Sequence, residues 1–289
     1  MRIATFTVQR RRRVGIVSAD GQWIAPMALD DHDAERGVLP LIERHVAQGA
    51  SLPPTSGRIA LADVRLEAPL PRPRRNLWCV GRNYHAHARE LSASVFKANS
   101  ADTQSWPIVF TKVPECVVGP HDEVRIPGEV STQIDYEAEL TVVIGRGGRN
   151  IPRERALEHV YGYTIVNDVT ARDVQMRHQQ WDLGKSFDTF CPMGPWIETA
   201  DSFDGTNTRV RCWVNGELRQ DARTSDLIFD IPTLIETCSR GITLYPGDLI
   251  ATGTPAGVGM GMTPPRWLTA GDVVRIEIDG LGAIENRFV

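Results

Sequence analysis

Residues 135–144 read Asp-Tyr-Glu-Ala-Glu-Leu-Thr-Val-Val-Ile, and Gly145 and Gly147-Gly148 end the run. Aliphatic and β-branched residues fill its second half, which marks a substantially buried strand. Glu137 and Glu139 stand two apart near its start, so on a strand both side chains leave one face. Like charges in apolar surroundings are costly without compensation, and a cation is the natural compensation. A second extended stretch, 163–167, delivers Asp168, which could close a triangle of carboxylates. Oxygen-only ligation favours magnesium or manganese over zinc. Asp135 shares the parity and is a rival ligand, and an exposed acidic strand edge is the plainer alternative.

Outward from this run the chain is rich in short strands. Residues 77–80, 108–111, 124–126, 208–214, 249–252 and 273–278 read as extended, punctuated by Asn215-Gly216, Pro246-Gly247-Asp248, Gly271-Asp272 and Asp279-Gly280. Residues 152–161 are the best helix candidate, with Pro152 near a first turn and apolar residues at 156, 157 and 160. Residues 1–70 read as a small separate α/β unit with strands at 5–8, 13–17 and 23–26, a helix at 39–48 and extended chain over 59–66. Arg10 to Arg13 fits a solvated hairpin turn. Pro69, Pro71 and Pro73 form a stiff connector to the main domain, 71–289. No βαβ repeat appears, which argues against a dinucleotide fold or a TIM barrel and for a mixed α/β, mostly β architecture.

Composition sets limits. The 289 residues carry a formal charge of -4 with 42% hydrophobic residues, so neither nucleic-acid nor membrane binding is indicated. No stretch reaches the roughly 20 apolar residues of a membrane span, and no apolar secretion signal opens the chain. The five cysteines are scattered, without a CxxC pair, and a cytoplasmic location is expected. Cys116 and Cys191 lack a sequence partner that would mark a nucleophile, and buried filler is the simpler reading.

His87 and Glu90 stand three apart after Gly81-Arg82-Asn83-Tyr84, so a helical turn places them on one face. A carboxylate on one imidazole nitrogen sets the tautomer and raises the basicity of the other, the arrangement of a general base. A surface His–Glu pair is the alternative. The polar stretch 91–106 is expected to lie over this helix as a lid, and the Gly253 to Gly261 loop to form a flexible rim rather than an anion cradle.

In this order, the motifs resemble the fumarylacetoacetate hydrolase family. They are Gly81 to Tyr84 with His87 and Glu90; Asp135 to Leu140; Asn167 to Asp173 with Gln175; Gly184 to Phe190; and Gly253 to Gly259. The resemblance spans about residues 70–289 and implies a β-roll-like catalytic domain in a homodimer. It also implies magnesium or manganese on Glu137, Glu139 and Asp168, with His87, Glu90 and Lys185 catalytic. Arg82, Lys112, Arg172, Gln175 and Thr254 match substrate-binding positions.

The implied substrate is a small 2-oxo acid. The leading expectation is hydrolysis of a C–C bond in a 2,4-dioxo acid of the acylpyruvate type, releasing pyruvate through a metal-stabilised enolate. An oxaloacetate-type decarboxylase or a 2-hydroxy-diene-dioate isomerase is the alternative. A non-catalytic binding protein is the rival from another class.

Overall fold

A computed structural model describes residues 1–48, 51–93, 106–177 and 179–289, with side chains given outside 45–48 and 91–93. The run that opened the reading becomes strand Ala138–Ile144, buried at every position. It lies between Val160–Asn167 and Leu249–Ala251, antiparallel to both. Leu249–Ala251 is parallel to Leu77–Gly81, which in turn pairs with Ile108–Lys112. On the other side the sheet continues through Cys191–Thr199 to Arg2–Val8, Arg11–Val17, Trp23–Pro26 and Ile59–Ala60. A separate four-stranded sheet joins Arg209–Val214, Glu217–Arg223, Val273–Ile278 and Gly282–Arg287. The fold is thus mostly β, with short helices at its margins.

Strand direction positions the site. Leu77–Gly81, Leu249–Ala251 and Val160–Asn167 end where Ala138–Ile144 begins. Gly81-Arg82, Gly253-Thr254, Asp168 and Glu137/Glu139 therefore meet at one end of four neighbouring strands.

In the first 70 residues, strand Arg2–Val8 alternates between two cores. Ala4 and Phe6 join Val17, Ile24 and Leu66 in a small cluster, while Ile3 joins Val14, Leu39, Ile42 and the main core. Arg2 and Ile3 pair with Glu198 and Ile197, so this region extends the large sheet. The hairpin turns at Gln9-Arg10, both at positive φ, and Arg11 to Arg13 belong to the returning strand. Arg12 is held there by Glu35 and Glu67.

The helix expected over 152–161 is a 3-10 segment, Arg153–His159. Only Ala156 and His159 are buried in it, a spacing of three that suits three residues per turn, and Leu157 faces solvent. Helix Ile231–Ser239 was not expected, although Ile231, Leu234, Ile235 and Cys238 have helical spacing and Asp230 caps its first turn. Residues 124–126 make bridge contacts with the C-terminal strand instead of a strand of their own. No helix among the described residues is long and apolar enough to cross a membrane.

Candidate active site

Glu137, Glu139 and Asp168 each offer a carboxylate oxygen within 4.8 Å of the others, and all three are buried. The two strands that carry them are tied at this level. The Asp168 amide donates to the Glu137 carbonyl at 2.9 Å, and Asn167 Oδ1 accepts the Glu137 amide at 3.0 Å. Asp135, the rival ligand, is turned away. It lies in the separate two-residue strand Ile134–Asp135, and the break before Ala138 defeats the parity argument. Its carboxylate accepts the amides of Tyr136, Gly259 and Met260 and Arg172 Nε at 2.7 to 3.0 Å.

Two lysines approach the acids in different ways. Lys185 Nζ donates to Glu137 Oε2 at 2.7 Å and Asp168 Oδ2 at 2.8 Å, with no third hydrogen-bond acceptor among the described residues. Lys112 Nζ donates to Asp168 Oδ1 at 2.7 Å, to the Val169 carbonyl and to the Lys185 carbonyl, so its three donors are spent. Lys112 therefore props Asp168 from behind and does not line the cavity, in contrast to the substrate contact expected of it. Gly184 makes the Lys185 placement possible. A Cβ there would lie 2.5 Å from the Gln175 amide nitrogen, so only glycine lets helix Asp182–Lys185 seat on helix Arg172–Arg177.

The acids differ electrostatically. Burial pushes Glu137 up, but Lys185 and then Arg172 outweigh it and hold its carboxyl below the usual range. Burial, with Asp168 and Glu137 nearby, pushes Glu139 well above the usual range. Its one polar partner among the described residues is the Gly253 amide, at 2.9 Å. A buried carboxylate that makes no salt bridge among the described residues, beside two others, fits a divalent ion. Asp135, Glu137 and Asp168 are paired with Arg172, Lys185 and Lys112, and Glu139 is not.

His87 and Glu90 lie on helix His85–Ala93, with His87 Nδ1 3.1 Å from Glu90 Oε2. His87 is buried and lines the cavity, leaving Nε2 as the ring nitrogen for a ligand. The preceding turn is clasped by Asn83, whose side chain bonds the backbone of Thr252 and Phe229, and Arg82 takes a left-handed φ of 54°.

Glu90 Oε1 accepts the Gly257 amide at 3.0 Å. The Gly253 to Gly261 loop is thus a scaffold rather than a loose rim. Its amides do cradle anions, but these are the protein's own Glu139, Glu90 and Asp135.

Glu137, Glu139, His87 and Lys185 open on a narrow cavity of about 20 Å³. Arg82, Arg172, Gln175 and Thr254 line it as well. Arg172 spends its fork on Asp135, Glu137 and Gln175 Oε1, which points the Gln175 amide N–H groups elsewhere. Thr254 Oγ1 accepts from Gln220 Nε2 at 2.7 Å and keeps its O–H to donate. The sequence reading missed Phe110 and Trp181, which form an apolar wall with Val80. Gly81 was the available signal, because it leaves room for the Trp181 ring. The lid expected over 91–106 falls largely on residues 94–105, outside the described residues. All five cysteines are buried, as filler would be.

The Fumarylacetoacetate (FAA) hydrolase C-terminal family model matches residues 76–289. The oxaloacetate tautomerase YisK of Bacillus subtilis is 51% identical over 229 residues, which are 79% of this chain and 74% of that protein. A fumarylacetoacetate hydrolase structure from Exiguobacterium antarcticum superposes with a TM-score of 0.85 at 41% identity, over 100% of this chain and 99% of that one. The 2-hydroxyhepta-2,4-diene-1,7-dioate isomerase of Mycobacterium marinum superposes with a TM-score of 0.77 at 34% identity, over 100% and 98%. The resemblance read from five motifs and the β-rich fold built around them thus agree with both comparisons, and the chain belongs to the fumarylacetoacetate hydrolase family of enzymes.

Proposed function

We propose that this protein interconverts the enol and keto forms of oxaloacetate, or of a closely related short 2-oxo diacid. The observation that carries the reading is a buried His87, backed by Glu90, facing a carboxylate cluster and a lysine with one uncommitted donor. The similarity to an oxaloacetate tautomerase supports it. The comparisons favour this alternative over the acylpyruvate hydrolysis that the sequence put first.

Glu137, Glu139 and Asp168 would hold the divalent ion, magnesium or manganese, which supplies Lewis-acid polarisation of the substrate's 2-oxo oxygen when bound. Gln175 and Thr254 donate hydrogen bonds to the substrate's carboxylate oxygens, and Arg82 adds positive charge. Glu90 keeps a proton on His87 Nδ1, so Nε2 can take a proton from carbon 3 or return one to it. As protonated Nε2 gives its proton to carbon 3, the hydroxyl on carbon 2 releases one to solvent and leaves the ketone; the reverse transfers make the enol. Lys185 Nζ stands ready to stabilise negative charge on that oxygen. The reaction needs no activated water and releases no pyruvate.

The test follows the ultraviolet absorbance of enol-oxaloacetate with manganese, magnesium or EDTA, alongside a pyruvate assay. The expected result is metal-dependent enol loss without pyruvate, reduced by about 100-fold in His87→Ala. Pyruvate in step with enol loss would make the protein a decarboxylase. Equal pyruvate and acetate from acetylpyruvate would restore the hydrolase.

A further inference from the structure

The family relatives include enzymes named for a four-carbon diacid and for a seven-carbon one, so something in each cavity must set tail length. The polar groups here cluster at the acids, Lys185 and His87. The apolar lining consists of Val80, Phe110 and Trp181. Val80 and Phe110 are buried, and Trp181 is partly exposed, which places it at the mouth.

Trp181 is held firmly. Its ring lies over Gly81 so closely that a Cβ there would come within 2.6 Å of Trp181 Cζ3. It also packs on Phe110 at 5.3 Å between ring centroids, and Phe110 lies 4.8 Å from Lys185 Nζ. The next residue, Asp182, accepts a hydrogen bond from Thr111 Oγ1 at 2.6 Å, which pins the segment to strand Ile108–Lys112.

We propose that Trp181 is the specificity-determining residue for substrate length, closing the cavity to diacids longer than about four carbons. The inference rests on the proposed 2-oxo-acid chemistry of the same site. Each added carbon must find room past a ring held against Gly81 and Phe110. Removing the indole opens that direction while leaving His87, Lys185 and the acids in place.

The experiment compares kcat/KM for enol-oxaloacetate and for 2-hydroxyhepta-2,4-diene-1,7-dioate in the parent, Trp181→Ala and Trp181→Phe, all with manganese. The expected result is a shift of the ratio toward the longer diacid by at least about tenfold in W181A, and a smaller shift in the same direction in W181F. W181F keeps an aromatic face against Phe110 and carries the test if W181A is insoluble. Ratios equal to the parent's, in a parent that turns over oxaloacetate, overturn the gate alone. A parent inactive on oxaloacetate but active on the longer diacid overturns both the gate and the proposed substrate.

Discussion

Glu139 differs from its two neighbours in making no salt bridge among the described residues. Its proton is held above the usual value of 4.5 because the site is buried and already carries Asp168 and Glu137. In the metal-free protein the folded state thus binds this proton more tightly than the unfolded chain does. Its contribution to stability is full at low pH and falls as pH rises through the raised range. A divalent ion favours the ionised form, so binding releases a proton and tightens with pH. Manganese should therefore raise Tm more at pH 8 than at pH 6, and Glu139→Gln should weaken calorimetric manganese binding by at least about tenfold. A pH-independent Tm gain together with unchanged affinity in E139Q would remove Glu139 from the site. At this scale the sequence was readable where local geometry rules. The i, i+2 acids and the i, i+3 dyad were both found. The buried partners of Asp135 and Lys112 were not legible because they lie far along the chain, at Gly259, Met260, Arg172 and Asp168.

The glycine-rich loop after Leu249–Ala251 works as one element. Gly257 has a φ of 103° and presents its amide to Glu90, and a Cβ on Gly261 would lie 2.1 Å from Glu90 Oε1. Gly261→Ala should push the carboxylate off His87. We expect kcat to fall about tenfold or more while manganese affinity holds, since Gly261 touches none of the three clustered acids. Equal kcat in G261A would show that the Glu90 seat does not matter to turnover. Glycine spacing announced a loop here. It did not announce which acids the loop amides would hold, because backbone donors leave no trace in side-chain patterns. Helix Ile231–Ser239 was legible from its periodicity and went unread, whereas 153–159 looked helical until burial showed a period of three.

At the scale of the molecule, the first 70 residues pose a question of independence. They have their own small cluster around Phe6 and Ile24, yet Ile3, Val14, Leu39 and Ile42 belong to the main core. Fully burying each such side chain contributes about 1.5–3 kcal/mol, so losing all four is comparable with the stability of a typical domain. A 71–289 fragment should be insoluble or melt at least about 10 °C below the full chain by calorimetry. A fragment with the parent's Tm would establish the two-unit division drawn from Pro69, Pro71 and Pro73. The proline-rich stretch was readable, while the shared sheet was not, since the pairing of Ile3 with Ile197 joins residues far apart in the chain.

The gathering of the clustered acids and His87 at one end of four strands leaves the other end away from the site. There the turn after Ala138–Ile144 exposes Arg149, far from Gly81 and Gly253 along the strands. All five native cysteines are buried, so Arg149→Cys would add a single addressable thiol. Tethered through it, the protein would sit on an electrode or a bead with its catalytic mouth turned to the bulk solution.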